Sequence, residues 1–294
     1  MSFGGRSVAP VLPPWIRKQK LRLGQLHEIK RRMREGGLHT VCEEARCPNR
    51  SECFSHHTAT FLINGTICTR GCAYCAIGHG HPEPLDPREP AMLVETVRAM
   101  GLRHVVITSV DRDDLPDGGA GTFVACLDGL RALPDPPSTE VLTPDFRGET
   151  RLVDRIIAAA PDVYNHNVET VPRLYRDVRR SGRYDWALEV LRRVGETAPA
   201  IIRKSGLMVG LGETMDEVLQ VLADLGSVGC QVVTIGQYLR PTPAQVPVAR
   251  YWHPDEFAVL DREGRQLGLE VIAGPFVRSS YQAEAAYHKL VGIR

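Results

Sequence analysis

Six of the eight cysteines in this chain fall into two groups of three. They are Cys42, Cys47 and Cys53, spaced C-x4-C-x5-C, and Cys68, Cys72 and Cys75, spaced C-x3-C-x2-C. A structural zinc site or an ordinary iron–sulfur cluster takes four protein ligands and is closed. A [4Fe–4S] cluster held by three thiolates instead keeps one iron free for another ligand. The two triads therefore predict two clusters, each completed by a group that is not a cysteine.

Two other uses of these cysteines explain less. A zinc site built from the second triad with His79 or His81 would need tetrahedral closure, and it would leave the first triad without a role. Disulfides would need an oxidising compartment, whereas the opening residues MSFGGRSVAPVLPPW lack the pattern of a secretion signal. We therefore expect a cytoplasmic protein with metal-binding cysteines. Cys126 and Cys230 are predicted to be core residues.

Composition points to an ordinary soluble globular protein. Of the 294 residues 43% are hydrophobic and 24% are charged, and the formal net charge is +1. This balance gives no bulk attraction to nucleic acid. No apolar run approaches the roughly 20 residues that a membrane helix needs. We expect neither nucleic acid nor a membrane as a partner.

Short apolar runs alternate with amphipathic stretches from Thr58 onward, which indicates βαβ units and a parallel sheet. Six strands favour an α/β fold of the partial (β/α)6, TIM-like barrel kind, although a doubly wound sheet fits the periodicity equally well. One more helix, over 254–267, and one more strand, near 269–273, should follow the sixth strand. The six predicted strands are 58–63, 104–109, 139–143, 162–166, 205–210 and 231–236, and helices are predicted over 91–100, 150–159, 184–197 and 214–227.

Polar or glycine residues follow nearly every predicted strand. The ligand site of a parallel α/β fold lies at the carboxyl ends of the strands. These residues should therefore converge at that end of the barrel, here called its mouth, where the second triad also lies. Each also has an ordinary interpretation, since glycine pairs form turns, polar residues cap helices and a lone G-x-G is weak evidence. The candidates are Gly118, Gly119, Asp145, Asn165, Asn167, Glu169 and Glu213, with Lys204 expected beside the same mouth.

C-x3-C-x2-C directly after a first strand resembles the signature of radical S-adenosylmethionine (radical SAM) enzymes. The resemblance implies that SAM chelates the open iron of the second-triad cluster, whose electron cleaves SAM. Tyr74 fits the superfamily pattern, in which this loop lies near adenine. The resemblance also implies that Gly118 and Gly119 receive the SAM amino group and that the loop ending in Glu213 lies beside adenine. Asp145, Asn165, Asn167 and Glu169 have the chemistry to hold ribose hydroxyls, and Lys204 could bind the SAM carboxylate.

The first triad narrows the resemblance to the lipoyl synthase family. VCEEARCPNRSEC followed by TATFLINGTICTRGCAYC resembles that family, and matching stretches continue in order: ITSVDRDDLPDGGAGTF, VLTPDFRG, NHNVETVPRLY, KSGLMVGLGET, GQYLRPT and VRSSY. Such enzymes insert sulfur at C6 and C8 of a protein-bound octanoyl chain, and the first triad binds an auxiliary [4Fe–4S] cluster that donates the sulfur. The resemblance assigns the remaining ligand of that cluster to Ser279, with Ser280 as the alternative. Gln282 stands where the family commonly has histidine.

The resemblance implies three parts and several partners. Residues 1–57 form an extension with the first triad, 58–250 form the radical SAM barrel, and 251–294 form a helix, a strand and a tail, with both extensions closing over the mouth. The expected partners are an octanoylated lipoyl-carrier protein or domain, a low-potential electron donor such as ferredoxin or flavodoxin, and an iron–sulfur carrier that resupplies the auxiliary cluster. The basic run 17–34 is either a solvated face or a docking patch for an acidic carrier domain.

Two other classes of protein remain as alternatives. A biotin synthase or a methylthiotransferase would share one triad but not the combination of C-x4-C-x5-C with R-S-S-Y. A non-catalytic protein with two metal sites would not need the polar residues at the strand ends.

Overall fold

A computed structural model of the chain describes residues 12–16, 38–44, 60–281 and 283–292. Cys47 and Cys53 lie outside these ranges, and of Cys42 only the backbone is described. The second triad and the R-S-S-Y motif lie inside them.

A sheet of eight strands organises the described residues, seven of them parallel. The strands are β1 (His39–Thr40), β2 (Thr60–Ile63), β3 (Ile67–Cys68), β4 (Gly78–His79), β5 (His104–Ser109), β6 (Ser138–Leu142), β7 (Val163–Asn165), β8 (Ile202–Val209), β9 (Val232–Gln237) and β10 (Glu270–Gly274). The spatial order is β1-β2-β5-β6-β7-β8-β9-β10, with β1 antiparallel to β2 at one edge. The short strands β3 and β4 pair separately, around the loop of the second triad.

This order decides between the two folds that the periodicity allowed. A doubly wound sheet reverses its strand order at a switch point, whereas β2 and β5–β10 follow one another in space as they do along the chain. The six predicted parallel strands are therefore confirmed in a barrel-like order. The strand expected near 269–273 joins the same sheet, as β10 beside β9.

Helices separate the strands as the periodicity predicted. They are α1 (Val41–Glu44), α2 (Glu89–Met100), α3 (Ala120–Arg131), α4 (Thr150–Ala158), α5 (Tyr175–Val178), α6 (Tyr184–Thr197), α7 (Met215–Ser227), α8 (Pro254–Gln266) and α9 (Ala283–Val291), with 3₁₀ turns at Pro14–Ile16, Phe146–Gly148 and Pro172–Leu174. No helix within the described ranges is long and apolar enough to cross a membrane.

α7 shows how the sequence specifies such a helix. It begins with a capping box, in which Thr214 Oγ1 accepts the Glu217 N–H and the Glu217 carboxylate accepts the Thr214 N–H. The apolar residues that follow recur at helical spacing, so one face of α7 packs on the sheet. These buried residues are Val218, Val221, Leu222 and Leu225.

The core lies between the sheet and its helices and fixes the positions of the strand ends. One cluster joins the strands β2, β5 and β6 to α2, α3 and α4, and a second joins β8, β9 and β10 to α7 and α8. Cys126 of α3 and Cys230 are buried in these clusters, which confirms that both are core residues.

Candidate active site at the carboxyl ends of the strands

A cavity of about 330 Å³, here called the main cavity, lies among the carboxyl ends of the parallel strands. This volume is at the lower end of the roughly 300–1,000 Å³ found for small-molecule sites. Tyr74 and Cys75 contribute to its wall, as do Ser279 and Ser280 of the R-S-S-Y motif. Val41, which directly precedes Cys42, also lines it. Segments far apart in the sequence, including both expected extensions, thus meet around one space.

The cysteine loop, residues 68–75, is held by backbone hydrogen bonds to later parts of the chain. The Ala73 N–H donates to the Val178 carbonyl at 2.9 Å, and the Ala73 carbonyl accepts from the Val246 N–H at 3.0 Å. Gln245 Nε2 donates to the Cys75 carbonyl at 3.0 Å. The loop is therefore anchored to the segments that follow β7 and β9.

The three thiols of this loop are free, partly buried and close enough to influence one another. Burial raises the pKa of Cys68 and of Cys72 to about 12 and that of Cys75 to about 11. The Asp111 carboxylate raises the pKa of Cys68 further, while the Arg179 guanidinium opposes the rise at Cys72. At neutral pH the unligated thiols are protonated, so metal binding has to displace these protons.

This set of donors fits a three-cysteine iron–sulfur cluster. Within the described ranges no three Cys, His, Asp or Glu side chains converge as ligands of one metal ion. A [4Fe–4S] cluster does not require such convergence, because each of its thiolates bonds a different iron. Three thiols on one short loop, with Cys75 lining the main cavity, are ligands that such a cluster takes.

Buried and partly buried charged residues surround the cysteine loop. We call Arg70, Asp111, Asp113, Asp145 and Arg179 the mouth network. Arg70 binds Asp113 at 2.7 and 2.8 Å and Asp145 at 2.7 Å. Arg179 lies 3.7 Å from Asp145 and donates to the Asn167 carbonyl at 2.7 Å. Sequence reasoning missed both arginines, although the position of Arg70 inside the cysteine motif was a usable signal.

Two of the residues predicted after β7 reach the main cavity. Asn167 Nδ2 donates to Ser279 Oγ at 2.7 Å and to Glu169 Oε1 at 3.2 Å, which links the strand end to the R-S-S-Y turn. Glu169 has a left-handed φ of 65° and also hydrogen-bonds Tyr74. Burial raises the pKa of the Glu169 carboxyl. Tyr74, Cys75, Asn167, Glu169 and Ser279 therefore share one cavity.

A second set of buried polar residues, the inner network, does not line the main cavity. It consists of His104, Glu140, Asn165 and Lys204. Lys204 Nζ binds both Glu140 oxygens at 2.9 Å, and Asn165 Nδ2 donates to Glu140 Oε1 at 3.1 Å. The expectation that Lys204 lies beside the mouth is wrong, because β8 begins at Ile202 and places Lys204 in the amino half of the strand. A SAM contact for Asn165 or Lys204 stays a prediction that these bonds do not support.

The remaining predicted residues shape loops near the mouth without lining the main cavity. Gly118 and Gly119 have φ values of 55° and 79°, and a Cβ at Gly119 would stand 2.3 Å from Asn64 Nδ2. Both a left-handed backbone and close packing therefore require glycine there. Glu213 accepts the Leu211 N–H at 2.9 Å and thus holds the glycine-rich loop. A SAM contact for these residues, as for Asp145, stays a prediction.

Comparison with known proteins identifies the family. Residues 63–225, more than half of the chain, match the family model of the radical SAM superfamily. Residues 5–47 match the model described as the N-terminal domain of lipoyl synthase of the radical SAM family. A lipoyl synthase from Thioalkalivibrio sulfidiphilus is 52% identical over 281 residues, which cover 95% of this chain and 88% of that protein. The chain belongs to the lipoyl synthase family. A second member, from Methylococcus capsulatus, is 52% identical over 274 residues, which cover 92% of this chain and 85% of the relative.

Membership of the lipoyl synthase family makes the chain a radical SAM enzyme that inserts sulfur, with SAM and [4Fe–4S] clusters as cofactors. The predictions of family, enzyme class and cofactors are thereby confirmed.

Solved structures resemble the fold at low sequence identity. Streptococcus suis SuiB bound to S-adenosylmethionine superposes with a TM-score of 0.59 at 10% identity, over 77% of this chain and 53% of SuiB. Methylornithine synthase (PylB) gives a TM-score of 0.54 at 13% identity, over 73% of this chain and 70% of PylB. These likenesses concern the fold alone, and they confirm the radical SAM α/β fold.

Proposed function

We propose that the main cavity is where an octanoyl chain, attached to a lysine of a carrier protein or domain, receives sulfur at C6 and C8. One observation carries this proposal: Cys75 and Ser279 line the same cavity, and Val41 places the backbone of Cys42 at its edge. The walls between them include apolar side chains suited to an acyl chain, among them Leu142, Leu207 and Met208.

In this proposal each triad holds one [4Fe–4S] cluster. Cys68, Cys72 and Cys75 hold the cluster that SAM completes, while Cys42, Cys47 and Cys53 hold the auxiliary cluster with Ser279 as the remaining ligand. When bound, the cluster of the second triad supplies the electron that cleaves SAM, and the auxiliary cluster of the first triad supplies the sulfur. Ser279 is preferred to Ser280 because its oxygen is oriented by the Asn167 amide at 2.7 Å.

The chain's own residues would bind, orient and shield the reactants. Asn167 and Glu169 offer an amide and a carboxylate to ribose hydroxyls, and Tyr74 lies beside them. The apolar walls exclude water from the acyl carbons. Holding reacting atoms within roughly 3–3.5 Å of each other is where a protein contributes most to such chemistry.

The proposal keeps the expected division into 1–57, 58–250 and 251–294. Contacts of the described residues join the first part to the last, and the last part to the barrel. Trp15 Nε1 donates to the Trp252 carbonyl at 3.1 Å, and Ser279 meets Asn167. The proposed partners are the octanoylated carrier, a ferredoxin or flavodoxin as electron donor, and an iron–sulfur carrier. We propose a cytoplasmic location, because reducing conditions keep thiols available for metal.

The decisive experiment separates the two triads. Alanine replacements of the first triad should leave an enzyme that cleaves SAM but forms no carbon–sulfur bond. Alanine replacements of the second triad should abolish SAM cleavage. The phenotypes differ because SAM cleavage needs one cluster and product formation needs both. Measuring 5′-deoxyadenosine and thiolated octanoyl product in parallel, anaerobically and with dithionite as the reductant, distinguishes them.

Two results would refute the assignment. Sulfur insertion by the first-triad variant would exclude the auxiliary cluster as the sulfur source. Loss of SAM cleavage in both variants, with the other cluster intact by spectroscopy, would mean that the two sites are not separable.

A further inference from the structure

We propose that Arg70 is a positioning residue that fixes the cysteine loop in its ligand geometry. This inference rests on the proposed function, in which Cys68, Cys72 and Cys75 hold a cluster. It concerns how the loop is built, which the cysteine motif alone leaves open.

The guanidinium of Arg70 binds residues that follow two different strands. Its Nε and Nη2 donate to the two Asp113 oxygens at 2.7 and 2.8 Å, which is a bidentate fork, and its Nη1 donates to Asp145 at 2.7 Å. Asp113 belongs to the segment after β5 and Asp145 to the segment after β6. Only 3% of the Arg70 side chain is exposed, so these bonds are sheltered from solvent.

The backbone around Arg70 passes this restraint to the first cysteine. The Arg70 N–H donates to Cys68 Sγ at 3.3 Å. Thr69 is tied to the same segment after β5, since its N–H donates to the Asp111 carbonyl at 3.0 Å and its hydroxyl to the same carbonyl at 2.9 Å. A displacement of the Arg70 side chain would therefore move the first ligand of the triad.

Arg70 also offsets negative charge beside the thiols. Asp111 lies 3.6 Å from Cys68 Sγ and 3.3 Å from Arg70 Nε, and Asp113 and Asp145 bind the same guanidinium. Thiolate ligands would otherwise form beside the Asp111 carboxylate with no cation next to it. Arg70 thus contributes geometry to the loop and balances the carboxylates that bind it, while the charge that acts on Cys72 comes from Arg179.

Lysine cannot replace arginine in this role. An ammonium is a point charge, whereas the guanidinium is a rigid planar fork whose separate N–H groups reach Asp113 and Asp145 together. Arg70→Lys therefore preserves the charge but removes the simultaneous hydrogen bonds to Asp113 and Asp145. Residues that orient metal ligands from outside the coordination sphere typically change metal affinity by about 10–100-fold when they are replaced.

Arg112 provides a matched control. It is equally buried and also forms a bidentate pair, with Asp114 at 2.9 Å for both bonds, in the same segment after β5. Its Nη1 also donates to the Asn64 carbonyl at 3.1 Å, outside the cysteine loop. Arg112→Lys should thus disturb the fold about as much as Arg70→Lys does, without displacing the cysteine ligands.

The test follows cluster retention. Full-length wild type, Arg70→Lys and Arg112→Lys are reconstituted anaerobically with iron and sulfide, and iron loss to a chelator is timed. The EPR signal of the dithionite-reduced protein is recorded with and without SAM. We expect Arg70→Lys to release the iron of one cluster about 10–100-fold faster than wild type, and its signal to respond less to SAM. Arg112→Lys should behave as wild type does.

A second variant, Asp113→Asn, tests the same contact independently in case Arg70→Lys misfolds. Asp113→Asn weakens the fork from its less buried side and should show the same faster iron loss, to a smaller degree. Wild-type retention in both Arg70→Lys and Asp113→Asn would overturn the inference, and so would equal iron loss in Arg112→Lys. A wild-type protein without a SAM-responsive signal would instead refute the assignment of the cysteine ligands, and with it the proposed function.

Discussion

The mouth network pairs buried Arg70 with three carboxylates, whereas the inner network pairs buried Lys204 with the one carboxylate of Glu140. Of the two, only the mouth network includes a residue of the cysteine loop. Arg70 connects the cysteine loop to two strand ends, whereas Lys204 and Glu140 bind mainly each other within the sheet. Tyr287 of α9 stacks on His104 at 5.7 Å, which covers the inner network from the other end of the strands. A buried charged residue at the carboxyl ends of the strands thus supports ligand binding, whereas one within the sheet supports the stability of the fold.

The two networks also differ in what their loss should affect. A residue of the mouth network positions groups that bind a cofactor, so its replacement should change cluster binding more than folding. A residue of the inner network has its charge compensated inside the fold, and removal of one partner leaves the other charge buried and unpaired.

Lys204→Met should have the largest effect on stability. Removing one member of a buried ion pair typically costs about 3–5 kcal/mol, because the remaining carboxylate of Glu140 stays desolvated. We expect the free energy of unfolding, measured by chemical denaturation, to fall by about this amount. SAM cleavage per folded chain should be close to that of wild type.

The double variant Lys204→Met/Glu140→Leu is the control for this prediction. It removes both charges, and it should regain part of the stability that the single variant loses. If Lys204→Met lost SAM cleavage while keeping its stability, Lys204 would be a SAM contact after all, and the distinction between the two networks would fail.

The two buried histidines should produce a smaller, pH-dependent effect. Burial lowers the pKa of His166, beside the mouth network, and that of His104, in the inner network. At His166 the Arg179 charge lowers the pKa further, whereas at His104 the Glu140 carboxylate opposes the shift. Both pKa values lie below the unfolded value of 6.5. Their contribution to stability is therefore complete above that pH and is lost as the pH falls.

We expect the free energy of unfolding to decrease between pH 7 and 5, with a slope of at most about 1.4 kcal/mol per pH unit for each histidine. His166→Asn should flatten this slope more than His104→Asn, and each replacement keeps a donor near the Nδ1 position. Denaturation curves collected across this pH range provide the measurement. An unchanged slope in both variants would show that neither histidine is responsible.

Sequence reasoning located β5 at its observed bounds because a continuous apolar run there ends in polar residues. It began β8 three residues late, because Arg203 and Lys204 interrupt the apolar run. The partner that allows Lys204 to be buried, Glu140, lies 64 residues earlier in the chain. A single sequence does not reveal such a pairing, since it depends on the register of three neighbouring strands.

The same limit applied to the candidate site. The cysteine spacing and the family resemblance identified Tyr74, Asn167, Glu169 and Ser279, which the fold brings to one cavity. Neither revealed that Asn167 bonds Ser279 across 112 residues. Polar residues at strand ends were all expected to face the mouth, but the local turn geometry sends Glu213 into its own loop.

The most direct test of the central claim, that Cys75 and Ser279 serve one reaction space, is to measure 5′-deoxyadenosine and thiolated octanoyl product together in a Ser279→Ala enzyme. Ser280→Ala is the matched control, since its hydroxyl lies in the same turn. We predict that Ser279→Ala keeps the SAM-binding cluster and cleaves SAM but yields no thiolated product, while Ser280→Ala yields both. Ser279→Cys should also impair sulfur release, because a thiolate binds iron more firmly than a hydroxyl oxygen does. Normal product formation by both Ser279 variants would contradict the account, because the tail would then be only structural.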